Sequence, residues 1–200
     1  MDYPRSSVPE GRAGDWVVDR FEIFAANGER PETRPQWAIS PPGIYTRLRF
    51  GDIVFMTDQR DEWWTQRPAI DQACARGGQI LLTGLGLGLV AETMLETADS
   101  KVERVVVVEA SADVIALVAP YLLQRYDGRI AVEHADAFDW TPPAGDRFTV
   151  GWHDIWDNPA DPSCPAEEAT LLERYAPYCD WQGTWSEQWR ADEAAARLAR

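Results

Sequence analysis

Cysteine is scarce in this chain. The three present, Cys74, Cys164 and Cys179, are too few and too scattered for a disulfide framework or a metal site. Histidine is scarcer still: His134 and His153 are the only two, with no ligand-spaced partners, so no metal centre is expected. Positive charge is also short. Lys and Arg number 19 against 33 Asp and Glu, and the net charge of −14 repels a phosphate backbone. Nucleic-acid partners are therefore disfavoured, and a small neutral or cationic one is favoured. No apolar run approaches the roughly 20 residues that span a bilayer, and the N-terminus has no apolar signal region. The expectation is a soluble cytoplasmic protein without a membrane partner. Its 200 residues suffice for one domain with a sizeable core plus an appendage, and an apolar fraction of 45% is ordinary for a globular chain.

What is present is concentrated between Gln79 and Met94, in the run QILLTGLGLGLVAETM. Ile80, Leu81 and Leu82 form a continuous apolar stretch, which suits a central parallel strand buried on both faces. Gly84, Gly86 and Gly88 follow at alternate positions, and Leu89 to Ala98 is a proline-free, helix-compatible run. A strand, a glycine turn and a helix together set free backbone N–H groups at a helix N-terminus facing a ligand. Glycine serves such a turn because a Cβ would hold the ligand away from the backbone. The dinucleotide fingerprint G-x-G-x-x-G/A requires Gly or Ala at 89, where Leu89 stands instead.

Two further strand ends extend the pattern. Arg104 to Val108, RVVVV, reads as a second buried strand ending in Glu109, an acid placed to accept both ribose hydroxyls of a nucleoside. Ile130 to Glu133 reads as a third, leading into His134-Ala135-Asp136-Ala137. The GLGLG turn, the Glu109 strand end and the Ala-Asp-Ala turn resemble a class I S-adenosylmethionine-dependent transferase. That resemblance implies S-adenosylmethionine as cofactor. It implies that Gly84, Leu85, Gly86 and Gly88 flank the methionine part, that Glu109 and Ala110 meet the ribose, and that Asp136 and Ala137 stand at the adenine.

The rest of the chain divides around this core. Residues 1–14 are polar, with Pro4, Pro9 and two glycines, and are expected to be disordered. Residues 15–60 read as a β appendage: an extended Trp16 to Ile23, a turn at Asn27-Gly28, a connector with Pro31, Pro35, Pro41 and Pro42, then a hairpin from Ile44 to Thr57 turning at Gly51-Asp52. Residues 61–200 read as a Rossmann-like domain opening with a helix from Asp58 to Arg76, with Asp61 as candidate cap and a kink or second start at Pro68. Ser111 caps a helix from Ala112 to Leu123, and Ala166 to Tyr178 is the last core helix. A short fifth strand is expected within Asp180 to Trp185, with a terminal helix beyond. The fold class is thus α/β, with a mainly parallel sheet, helices on both faces and fewer strands on one side than a full methyltransferase sheet. A dimer or the N-terminal strands could cover that edge.

The segment after the fourth strand, Phe148 to Trp152, carries the chemistry. Strand carboxyl ends line the ligand crevice of an open α/β sheet, so His153, Asp154 and Asp157 fall where a reactive group would point. A carboxylate there can hold a cationic amine and take its proton. His153 reads equally as a site residue or a hydrogen-bonded structural histidine. The run Thr57 to Trp64, T-D-Q-R-D-E-W-W, is similar to the T-x-x-D-E-F segment of spermidine synthases, with one inserted residue. On that family's D-s-[ST]-D-P pattern, Asp154 takes the general-base position and Asp157 the second acidic one.

Departures from the family are specific. Its turn is G-G-G-D-G, whose Asp binds the amine of the decarboxylated donor, and Leu87 stands there. Its Y-H-E triplet is Thr65-Gln66-Arg67, with Arg67 free to meet a donor or acceptor carboxylate. Asn158-Pro159-Ala160 is too incomplete for the N-P-P-Y motif of nucleic-acid amine methyltransferases. Methyl transfer from S-adenosylmethionine to a small amine or hydroxyl is the leading expectation, followed by aminopropyl transfer from the decarboxylated donor and by a non-catalytic binding or assembly role. Seven tryptophans, Trp63, Trp64, Trp152, Trp156, Trp181, Trp185 and Trp189, read either as an aromatic acceptor pocket or as core and dimer filling.

Overall fold

A computed structural model describes residues 5–24 and 40–198. The expected turn at Asn27-Gly28 and the connector at Pro31 and Pro35 lie outside the described residues. Four antiparallel strands come first: β1 (Gly11–Ala13), β2 (Trp16–Ile23), β3 (Gly43–Phe50) and β4 (Ile53–Thr57), paired in that order. The β3–β4 hairpin turns at Gly51, whose φ of +54° is the left-handed conformation glycine adopts without strain. Residues 5–13, expected to be loose, are held in place. The buried Asp58 carboxylate accepts the Ser6 N–H (3.0 Å) and the Thr46 N–H (2.7 Å), and Val8 is fully buried. A buried carboxylate with two backbone donors outweighs the polar composition that suggested disorder.

The second sheet is parallel throughout: β5 (Gly78–Thr83), β6 (Val102–Glu109), β7 (Ile130–His134), β8 (Val150–His153) and β9 (Gln182–Thr184), in spatial order β7-β6-β5-β8-β9. Between and beyond them run α1 (Arg60–Arg76), α2 (Leu89–Glu96), α3 (Ala112–Arg125), α4 (Cys164–Tyr175) and α5 (Trp185–Leu198). The valine run in β6 shows why the sheet is covered on both faces. Val105 and Val107 join the larger core with α1, α2 and α3, while Val106 and Val108 join a smaller core with Leu171 and Tyr175 of α4. All four are 0–4% exposed, and each such burial contributes about 1.5–3 kcal/mol.

The expected elements appear with modest differences. α1 starts at Arg60 with Gln59 as N-cap, so Asp61 lies in its first turn and is not the cap, and the helix runs through Pro68 uninterrupted. Ser111 does cap α3, its hydroxyl accepting the Val114 N–H at 3.2 Å. β8 begins at Val150, with Phe148 making only an isolated bridge to Cys179. The chain steps outward from β5 through β6 to β7, then returns to pair β8 on the other side of β5. That reversal opens a crevice at the carboxyl ends of β5 and β8.

Candidate active site

The crevice is a cavity of about 390 Å³ that collects residues from five strand ends and loops. Thr83 ends β5, and the glycine turn follows it. Gly84 has φ +95°, and a Cβ there would run into the main-chain carbonyl of Asp154. The turn and the loop after β8 therefore meet backbone to backbone, reinforced by the Asp154 N–H donating to Thr83 O at 2.9 Å. Leu85 and Gly86 line the cavity, whereas Gly88 does not: it caps α2 and faces the side chain of Leu122 on α3. Met56 of β4 reaches over the turn, its sulfur accepting the Leu87 N–H at 3.2 Å.

Glu109 ends β6 and braces this side of the cavity. One carboxylate oxygen accepts the Leu85 N–H (2.8 Å) and the other the Ser111 N–H (2.7 Å), so a single side chain spans the glycine turn and the start of α3. Each oxygen keeps a lone pair for a further donor. Ala110, Asp136 and Ala137 line the same half, with Asp136 accepting the Phe138 N–H at 2.8 Å. Val114 and Phe138 add apolar wall.

The opposite half is acidic. Asp154 and Asp157 both line it, and so does Glu62 from α1. The Gln66 amide donates to Asp154 at 2.6 Å and accepts the Trp152 indole N–H at 2.6 Å, which fixes the carboxylate's orientation. Burial pushes the Asp154 carboxyl up to about 7, against the Gln66 hydrogen bond that favours its ionised form. Glu62 is pushed up to about 8 by burial, then by the negative charges of Asp154 and Asp61, against a backbone hydrogen bond from Thr57. The two acids thus hold a proton near neutral pH.

That proton has a consequence for stability. Unfolded carboxyls release their protons near pH 4, so between about pH 4 and 8 the folded chain binds more protons than the unfolded one. Stability therefore falls as pH rises through this window. Substituting Glu62→Gln removes one of the titrating groups, so its melting temperature should drop less than that of the parent between about pH 5 and 8. Parallel melting curves, measured by calorimetry, would refute the coupling. Glu92, also raised to about 7 by burial, contributes equally to both proteins.

Not every expected residue is here. His153 is fully buried and does not line the cavity. Its ring lies between Thr83 Oγ and Gln182 Oε1, both at 3.1 Å, and stacks on Tyr175 at 5.2 Å. Burial pushes it down to about 4, so it is neutral and structural, a strand side chain pointing away from the crevice. Arg67 meets Asp71 one turn on (3.2 Å) and lies over Trp64, not against any cavity carboxylate. The tryptophans divide: Trp152, Trp156 and Trp185 line the cavity, while Trp63 packs on the core and Trp181 stacks on Trp152. Sequence reasoning passed over Glu62, Gln66 and Met56. The D-E-W run contained Glu62, but nothing local places it against Asp154.

No protein-family model matches the chain, and no curated protein matches it. Among solved structures, the spermidine synthase of Thermotoga maritima superposes with a TM-score of 0.50 at 17% identity, over 86% of this chain and 53% of that one. The chain thus spans about half the length of that protein. A coclaurine N-methyltransferase bound to N-methylheliamine and SAH gives 0.44 at 16% identity, over 63% and 35% of the two chains. A spermidine synthase in complex with the transition-state analogue AdoDATO gives 0.43 at 20% identity, over 72% and 46%. At these identities the likeness is one of fold: a Rossmann-like α/β domain behind an N-terminal antiparallel sheet. Among the described residues, no helix is long and apolar enough to cross a membrane.

Proposed function

We propose that this chain is an S-adenosylmethionine-dependent methyltransferase acting on a small amine. One observation carries the reading: a single cavity joins the glycine turn, Glu109 and Asp136 to the half-buried carboxyls of Asp154 and Glu62. Its volume, about 390 Å³, falls within the roughly 300–1,000 Å³ of small-molecule sites. The residues fit the donor. Glu109 offers acceptor lone pairs to a ribose, Val114, Ala137 and Phe138 offer apolar surface to a flat base, and the surrounding carboxylates suit a sulfonium cation.

When bound, the donor would supply an electrophilic methyl; an acceptor arriving as an ammonium would first give a proton to a base, freeing the nitrogen lone pair that forms the N–C bond as the C–S electron pair returns to sulfur. Asp154 is the candidate for that base. Gln66 and the tether to Thr83 hold its carboxylate at the end of β8, and its raised pKa matches a proton acceptor working near neutrality. Alignment of nucleophile and methyl supplies much of the remaining acceleration.

Aminopropyl transfer is the second reading, and one observation favours it. Among the described residues, no Lys, Arg or His side chain lines the cavity, so the carboxylate of an intact donor meets no cation from them. Against it, Leu87 is fully buried and sends its N–H to Met56, so the turn aims no acid at a donor amine. Calorimetric titration with S-adenosylmethionine and its decarboxylated analogue separates the two. Micromolar binding, about −8 kcal/mol, with preference for the intact donor is the expected result. Preference for the decarboxylated form would transfer the assignment to aminopropyl chemistry, and binding of neither would leave a non-catalytic role.

A further inference from the structure

The acceptor half of the cavity has a one-sided hydrogen-bonding character. It includes the polar and aromatic side chains Glu62, Trp152, Asp154, Trp156, Asp157 and Trp185, with the apolar Ile155 among them. All three indole N–H groups are already committed: Trp152 to Gln66 Oε1 (2.6 Å), Trp156 to Glu167 Oε2 (2.8 Å) and Trp185 to Thr65 Oγ1 (2.9 Å). One N–H of the Gln66 amide beside them is given to Asp154. What these six side chains present to a guest is therefore carboxyl oxygen and indole ring, and the sole proton on offer is the one held by the acid pair.

A guest carboxylate would face Asp154, Asp157 and Glu62 with no cation and no free N–H among these side chains, and would lose its hydration without replacement. An ammonium finds acceptors on the same groups, and desolvated indole faces attract cations and flat apolar bodies. We infer that the acceptor is an amine, taken up as its cation, whose body is apolar or aromatic and carries no carboxylate. This specificity rests on the reading of the cavity as a donor–acceptor site.

Three probes test it on protein saturated with S-adenosylhomocysteine: 2-phenylethylamine, phenylalanine and 1,4-diaminobutane, each titrated by calorimetry. Phenylethylamine should bind at least about tenfold more tightly than phenylalanine, which differs by the carboxylate, and than the diamine, which lacks a ring. Trp156→Leu should cost about tenfold for phenylethylamine alone, and Trp156→Phe, which keeps a ring, should restore most of it. Undiminished S-adenosylhomocysteine binding shows that each variant is folded. Equal or tighter binding of phenylalanine overturns the inference, as does tighter binding of the diamine. If S-adenosylhomocysteine binds and no amine does, the acceptor assignment falls alone. If S-adenosylhomocysteine does not bind, the donor-site reading falls with it.

Discussion

Replacing Asp154 with asparagine should lower kcat for an amine acceptor about 1,000-fold, the middle of the range for loss of a general base. The expectation follows from where the carboxylate sits. It is fixed by Gln66 at 2.6 Å, joined to the glycine turn through Thr83, and lines the cavity that Glu109 and Asp136 also line. Asparagine keeps the shape and can still accept from Gln66, so donor affinity should change by no more than about twofold. The pH profile supplies a second readout. A base whose carboxyl sits at about 7 is active when ionised, so kcat should rise with pH through neutrality in the parent protein, and the variant should lose that limb. The same substitution removes a negative charge that raises Glu62, so Glu62 ionises more readily and the variant should melt higher than the parent above neutral pH. Lost activity together with raised stability at pH 8 excludes misfolding as the cause. Retention of more than about a tenth of the activity would remove Asp154 from the base role.

Glu109→Ala should weaken donor binding at least about 100-fold, close to 3 kcal/mol. Two hydrogen bonds from ribose hydroxyls to a carboxylate contribute about 1.5–3 kcal/mol each. The side chain also braces the turn, and its removal leaves the Leu85 and Ser111 N–H groups without the partners they have at 2.8 and 2.7 Å. Part of the loss is then a disordered turn and not a missing contact. Glu109→Gln separates the parts, since its one carbonyl oxygen can still accept a backbone N–H while the charge is gone. An intermediate affinity for Gln, measured by calorimetry with S-adenosylmethionine, is expected. Binding of the Ala variant within about threefold of the parent would show that the donor does not use Glu109.

Both predictions concern residues that were visible in the chain before any coordinates. Glu109 stands immediately after a buried apolar run and Asp154 two residues after one, and the end of such a run marks the end of a parallel strand, where ligands bind. Alternate glycines marked the turn in the same way. Asp136 and Asp157 were legible for the same reason and do line the cavity. His153 shows the limit of that reasoning. A strand-end position fixes where a residue lies along the sheet, while side chains alternate between its faces, and this one points into the packing around Tyr175.

Glu62 and Gln66 were not legible, because their importance comes from contact with a residue on another element. Gln66 and Asp154 are 88 positions apart, and no periodicity in α1 announces which of its side chains will meet β8. Residues 5–13 misled for a related reason: their composition is polar, and what anchors them is the Asp58 carboxylate reaching back from the far side of a hairpin. Apolar runs, glycine spacing and caps depend on neighbours a few residues away, and these were enough to give an α/β chain with a crevice at its strand ends. The pairing of two acids in one cavity, the burial of His153 and the commitment of three indole N–H groups depend on which surfaces pack together, and packing over long sequence separations is settled only when the whole chain has folded.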